Sequence, residues 1–147
     1  MQFEFLSNSP LQTEQIAQNL AESLIGGEVI AFNGGLGMGK TCFIRGLARG
    51  LGFMGETNSP TFAIVNEYRG GRLSLFHFDM YRISSWEDLY SCGYFDFLDE
   101  GGVIAVEWSE NIASALPEDV ITVLIEKGEN ETIDFEFNPN YFGFKTL

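Results

Sequence analysis

Eight consecutive residues, Gly34-Gly35-Leu36-Gly37-Met38-Gly39-Lys40-Thr41, restrict what this chain can fold into more than any other stretch. They meet the pattern G-x-x-x-x-G-K-[ST] in full. Glycines at these positions let the backbone curl until successive N–H groups point inward, which makes a concave anion site. A helix that begins where the loop ends adds its positive N-terminal dipole. Lys40 supplies a mobile point charge that can bridge β- and γ-phosphates, and Thr41 offers a hydroxyl to Mg²⁺. Nucleotide-binding residues are therefore sought at Gly35, Leu36, Gly37, Met38, Gly39, Lys40, Thr41 and Cys42. A glycine-rich turn can match by accident, so the flanks decide. Val29-Ile30-Ala31-Phe32 is uniformly apolar, as a strand covered on both faces requires. The spacing after the loop predicts a helix from about Lys40 to Leu51, closed by Gly52.

Other elements follow from pattern and punctuation. Ser9-Pro10-Leu11-Gln12 reads as a helix start: a hydroxyl cap, Pro at the first helical position and Gln reaching back. Ile16, Ala17, Leu20, Ala21, Leu24 and Ile25 continue it as a helical stripe, and Gly26-Gly27 stops it. Phe62 to Tyr68 and Leu73 to Phe78 read as a hairpin across Arg69-Gly70-Gly71-Arg72. A helix is expected from Ser84 or Ser85, with Trp86, Leu89 and Tyr90 as its apolar side. Val103 to Val106 is a second buried strand ending at Glu107, and a short helix from Ile112 to Leu116 stops at Pro117. Val120 to Ile125 and Thr132 to Phe137 form a second hairpin across Lys127-Gly128-Glu129-Asn130. The expectation is one α/β domain over residues 1–147, three layers around a mixed parallel and antiparallel sheet, with residues 138–147 as a loosely held tail.

Phosphate chemistry also needs an acidic group at the end of a neighbouring strand, to hold Mg²⁺ or position water. Phe76-His77-Phe78-Asp79 and Val103-Ile104-Ala105-Val106-Glu107 each offer one, and both apolar runs are expected beside the strand before the glycine loop. The usual residue is Asp, so Glu107 departs from the pattern, and a solvated charge at a strand end is the ordinary alternative for both. Ser59-Pro60-Thr61 lies where γ-phosphate sensors occur, although taken alone it reads as an ordinary turn. His77, the only histidine, reads as a packed or surface strand residue rather than a base. Arg45 and Arg49 read as helix-surface charges paired with carboxylates, and Cys42 as a small core side chain.

Charge narrows the class further. The chain carries 21 acidic and 8 basic residues, a net −13, which repels phosphate backbones and argues against strong binding to nucleic acid. Such acidity suits solubility or docking on a basic protein partner. Two cysteines, no signal-like N-terminus and no apolar stretch of membrane-spanning length lead to the expectation of a cytoplasmic protein with no membrane segment.

Four blocks in order resemble the bacterial TsaE family of tRNA threonylcarbamoyladenosine biosynthesis. They are Gly35 to Thr41 with Arg45-Gly46-Leu47; Ser59-Pro60-Thr61-Phe62 with Val65-Asn66-Glu67-Tyr68; His77-Phe78-Asp79-Met80-Tyr81-Arg82; and Val106-Glu107-Trp108-Ser109-Glu110. Together they cover roughly residues 30 to 117, and the last three are more specific than the loop alone. Departures are small: Asn33-Gly34-Gly35 stands where many members have Gly-Asp after one residue, and Met38 replaces a common Ala. The resemblance implies ATP as ligand, Mg²⁺ held by Thr41 and Glu107, and Asp79 near the γ-phosphate, with Lys40, Asp79 and Glu107 serving catalysis. It implies a nucleotide-sensitive switch at Ser59 and Thr61, Trp108 near the nucleotide or the partner surface, and Leu11 near the adenine. It further implies an ATPase, weak alone and stimulated by its partners, that supports the TsaD and TsaB proteins. A small phosphotransferase kinase and a nucleotide-gated binding module without required hydrolysis are the competing readings.

Overall fold

The computed structural model describes residues 2–32, 38–57, 64–126 and 131–136. Along the chain these form β1 (Gln2–Ser7), α1 (Pro10–Glu22), β2 (Val29–Phe32), α2 (Met38–Gly50), β3 (Val65–Tyr68) and β4 (Leu75–Asp79). After them come α3 (Trp86–Ser91), α4 (Tyr94–Asp99), β5 (Val103–Glu107), a 3-10 helix (Ser109–Ala115), β6 (Ile121–Glu126) and β7 (Glu131–Glu136). One sheet holds the seven described strands in the order β1-β7-β6-β2-β5-β4-β3. Its four middle strands are parallel, and antiparallel partners complete both sides: β3 on β4, and β7 on β6 followed by β1 on β7.

The expected α/β three-layer arrangement with a mixed sheet is present, and alternation along the middle strands explains it. Ile30, Phe32, Val103 and Ala105 point into a core shared with α1 and α2. Val29, Phe76, Phe78, Ile104 and Val106 point the other way, into a core shared with α3, α4 and the 3-10 helix. β2 and β5 are thus buried on both faces, which is why they read as unbroken apolar runs.

At the start of α1, Ser9 Oγ accepts the Gln12 N–H at 3.2 Å, and Gln12 Oε1 accepts the Asn8 N–H at 2.5 Å. At its far end the Arg72 guanidinium donates to the carbonyls of Ala21 and Leu24, both at 2.9 Å. A cation on these last carbonyls also complements the helix dipole. The helices α1 and α2 approach very closely. A Cβ on Gly46 would stand 2.3 Å from the Glu14 carbonyl oxygen, and one on Gly50 would stand 2.6 Å from Ala21 Cβ. Glycines four apart therefore form the seam between these helices.

Several expectations need correction. β4 lies beyond β5 and does not adjoin β2, because strand order across a parallel sheet is set by crossovers rather than by local pattern. Trp86 and Tyr90 are 53% and 65% exposed, so only Leu89 of the expected apolar side of α3 is buried. The helix before Pro117 begins at Ser109 and is 3-10 in character. Two elements were not expected at all, β1 and α4. The Lys127 to Asn130 turn and the tail from Asn138 lie outside the described residues. Among the described residues, no helix is long and apolar enough to cross a membrane.

Candidate nucleotide site

Three parallel strands finish at one end of the sheet, where open α/β folds place their ligands. Ala31 stands level with Val106 and Asp79 with Glu107, so β2, β5 and β4 stop nearly together. Short hydrogen bonds lace these ends. Ser109 Oγ donates to the Phe32 carbonyl at 3.0 Å, Met80 N–H donates to the Glu107 carbonyl at 3.0 Å, and Asn111 Nδ2 donates to the Met80 carbonyl at 2.9 Å. Asp79 is fixed on both sides, its N–H donating to the Ile64 carbonyl at 2.9 Å and its Oδ1 accepting the Tyr81 N–H at 3.0 Å.

Phe32 leads into the glycine segment, and α2 opens on the other side of it with Met38, Gly39, Lys40 and Thr41. Lys40 is only 5% exposed. Burial pushes its ammonium below the usual lysine pKa, while Glu107, Glu110 and Asp79 pull it back up. One cation at the start of a helix, facing carboxylates from two strand ends, is an arrangement able to take phosphate and a divalent cation together. Thr41 is exposed one residue further along, and Cys42 is half-buried. Leu11 is exposed in the first turn of α1. Glu14 and Ala17 lie against Gly46 while Gln18 and Ala21 lie against Gly50, so the two helices run in the same sense and Leu11 shares the end of the fold where α2 begins. Arg45 pairs with Glu14 at 3.2 Å, the surface role expected for it.

Trp108, directly after Glu107, adopts φ 57° and ψ 41°, and it is the one non-glycine residue with positive φ among the described residues. A bulky residue in this region stores strain of about 1–3 kcal/mol, which surrounding contacts must offset. Here the Trp108 ring packs on Tyr81 at 4.9 Å between centroids, and the turn delivers Ser109 to the Phe32 carbonyl. The strained residue thus ties β5 to the end of β2.

Pattern reading missed the part played by His77. Its side chain is 2% exposed, and Nε2 lies 2.7 Å from Glu107 Oε2. An ionised carboxylate only accepts, so the bond requires the Nε2–H form of the ring. Nδ1 is buried and has no hydrogen-bond partner among the described residues. The available signal was the period-two pattern, which puts His77 on the same face as Asp79. Gly35, Leu36, Gly37, Ser59 and Thr61 lie outside the described residues. Among the described residues no group of three His, Cys, Asp or Glu side chains forms a metal-binding cluster.

A family model described as threonylcarbamoyl adenosine biosynthesis protein TsaE matches residues 7–134. The chain is similar to the tRNA threonylcarbamoyladenosine biosynthesis protein TsaE of Treponema pallidum, 41% identical over 118 residues, which span 80% of this chain and 87% of the relative. It is similar to the protein of the same name from Bacillus subtilis, 36% identical over 137 residues, 92% of this chain and 85% of the relative. The crystal structure of Bacillus subtilis YdiB shares the fold with a TM-score of 0.74 and 31% identity, covering 92% of this chain and 84% of that one.

Proposed function

Because the chain belongs to the TsaE family of threonylcarbamoyl adenosine biosynthesis proteins, we propose that it is a Mg²⁺-dependent ATPase supporting threonylcarbamoyladenosine formation at tRNA adenosine 37. The observation that carries this reading is the convergence of Lys40, Asp79 and Glu107 on the strand ends beside a complete G-x-x-x-x-G-K-T sequence. The loop amides and Lys40 bind the phosphates and stabilise charge that develops on them during transfer. Oxygen donors suit a hard cation, and the candidates here are all oxygen: the Thr41 hydroxyl and the Glu107 carboxylate would hold Mg²⁺. Few protein ligands are needed, since Mg²⁺ keeps waters and takes phosphate oxygens. When bound there, Mg²⁺ would supply electrostatic neutralisation of the phosphate charge. Asp79, fixed by its own backbone and the Tyr81 N–H, remains to orient the attacking water.

In this reading TsaD carries out the transfer to tRNA, and ATP hydrolysis by this chain resets the complex of TsaD and TsaB for another turnover. A net charge of −13 favours a role through protein partners over direct contact with tRNA. We place the reaction in the cytoplasm with its tRNA substrate. The test is phosphate release from ATP and Mg²⁺, with and without purified TsaD and TsaB. Slow release alone, faster release with the pair and none from Lys40→Ala support the reading. Phosphate transfer to a small-molecule acceptor without partners would move it to a kinase. Normal tRNA modification by a Glu107→Ala protein that binds ATP without hydrolysing it would make it a nucleotide-gated module.

A further inference from the structure

We propose that His77 is a positioning residue for Glu107, holding one carboxylate oxygen by its Nε2–H so that the group stays aimed at the magnesium site; this rests on the function proposed above. An imidazole almost wholly removed from water, with Nδ1 lacking a partner among the described residues, is an unfavourable choice for packing alone. The neighbouring positions along β4, Leu75, Phe76 and Phe78, are apolar and fully buried. Among the described residues the ring's one hydrogen bond, at 2.7 Å, goes to the carboxylate that would bind the cation. Buried carboxylates that ligate metals are commonly oriented by such an outer partner. Lys40 also faces Glu107, but its charge is the one the phosphates would claim. A donor with no nucleotide role is then needed to keep Glu107 in place, and β4 supplies it from the adjoining strand. Because the bond uses Oε2, Oε1 is left outside this pair.

The test uses ADP, so that no hydrolysis is involved, and three variants of the full chain. Gln carries its amide nitrogen as many bonds from Cβ as Nε2 of His, whereas the Asn amide falls one bond short and Leu has no donor. ADP affinity is measured in EDTA and across a Mg²⁺ titration, with thermal unfolding as the check on folding. The expected result is unchanged metal-free ADP affinity in every variant. The Mg²⁺ concentration giving half of the metal effect should rise roughly tenfold in His77→Leu and His77→Asn and stay within about twofold in His77→Gln. If His77→Leu does not fold, the Gln and Asn variants decide the matter between them. Wild-type Mg²⁺ dependence in Leu or Asn, no advantage of Gln over Asn, or a parallel loss of metal-free affinity would each overturn the proposal. Absence of any Mg²⁺ effect in the wild-type chain would instead remove the ATPase reading beneath it.

Discussion

Lys40 holds a cation where burial disfavours one, and Tyr94 holds a phenol where burial disfavours its anion; the two show how far individual residues are committed. The lysine is retained near three carboxylates, which offset part of the desolvation. On the proposed function its use is the phosphate, so ATP and Mg²⁺ should raise the melting temperature of the wild-type chain and Lys40→Ala should abolish that rise, read by thermal unfolding with and without nucleotide. Tyr94 is fully buried, donates to the Ala115 carbonyl at 3.3 Å, and has its pKa pushed up to about 12 by desolvation. The folded state resists its ionisation, so the stability tied to this proton is complete below pH ~10 and is lost as pH rises towards ~12. At most roughly 2–3 kcal/mol is involved. Tyr94→Phe should give up about 1 kcal/mol at neutral pH with the hydrogen bond, and should flatten this alkaline decline in denaturant titrations between pH 9 and about 11.

Elements are decided by packing wherever local signals are weak. The seam between α1 and α2 depends on Gly46 and Gly50, since a methyl at Gly46 would collide with the Glu14 carbonyl. Alanine is the better helix former by about 1 kcal/mol, yet overpacking of a tight seam costs about 1–3 kcal/mol, so Gly46→Ala should lower the urea midpoint. An unchanged or higher midpoint would mean that the helices can separate at little cost. The start of α3 is secured by side chains: Ser85 Oγ accepts the Asp88 N–H at 3.1 Å, and Asp88 Oδ2 accepts from both the Ser84 N–H and hydroxyl. These bonds from Ser84 hold the Asp88 carboxyl below its ordinary pKa. Their contribution is therefore present above pH ~4 and fades as acid protonates Asp88, a fraying of α3 that amide exchange should detect and that Asp88→Asn should already show at pH 7.

Legibility followed the same division. β2, α2 and β5 could be read because uniformly apolar runs and the glycine pattern are local. α1 was legible from Ser9, Pro10 and Gln12, and the structure forms the expected bonds. α4 was not, because Gly93 at φ 85° gives it no side-chain cap and its aromatic residues favour strands. What makes it a helix is tertiary contact, with Tyr94 and Phe97 packed edge-on against Phe78. β1 was missed because its partner, β7, lies at the opposite end of the chain. Lys40, Asp79 and Glu107 were nameable from position, whereas the bond from His77 to Glu107 depends on the register of β4 against β5, which no local pattern contains.

Over the whole molecule, the two ends of the sheet do different work. At the end where the middle strands start, Gly26, Gly71 and Gly102 let loops meet backbone to backbone: a Cβ on Gly26 would lie 2.5 Å from the Gly101 carbonyl oxygen, and one on Gly71 would lie 2.2 Å from that of Leu51. These glycines serve packing. At the other end the glycine segment leads into α2, and charged side chains gather around Lys40. No Lys or Arg falls between Arg82 and Lys127, so the stretch of chain holding α3, α4 and β5 carries only acidic charge. Such a molecule is better built to meet a basic protein surface than a tRNA. The most direct measurement of the central claim is multiple-turnover threonylcarbamoylation of tRNA by purified TsaD and TsaB in the presence of this chain, in its absence, and with the Lys40→Ala variant. The account predicts repeated turnover only with the wild-type chain and ATP hydrolysed alongside; equal turnover when the chain is omitted or replaced by Lys40→Ala would contradict it.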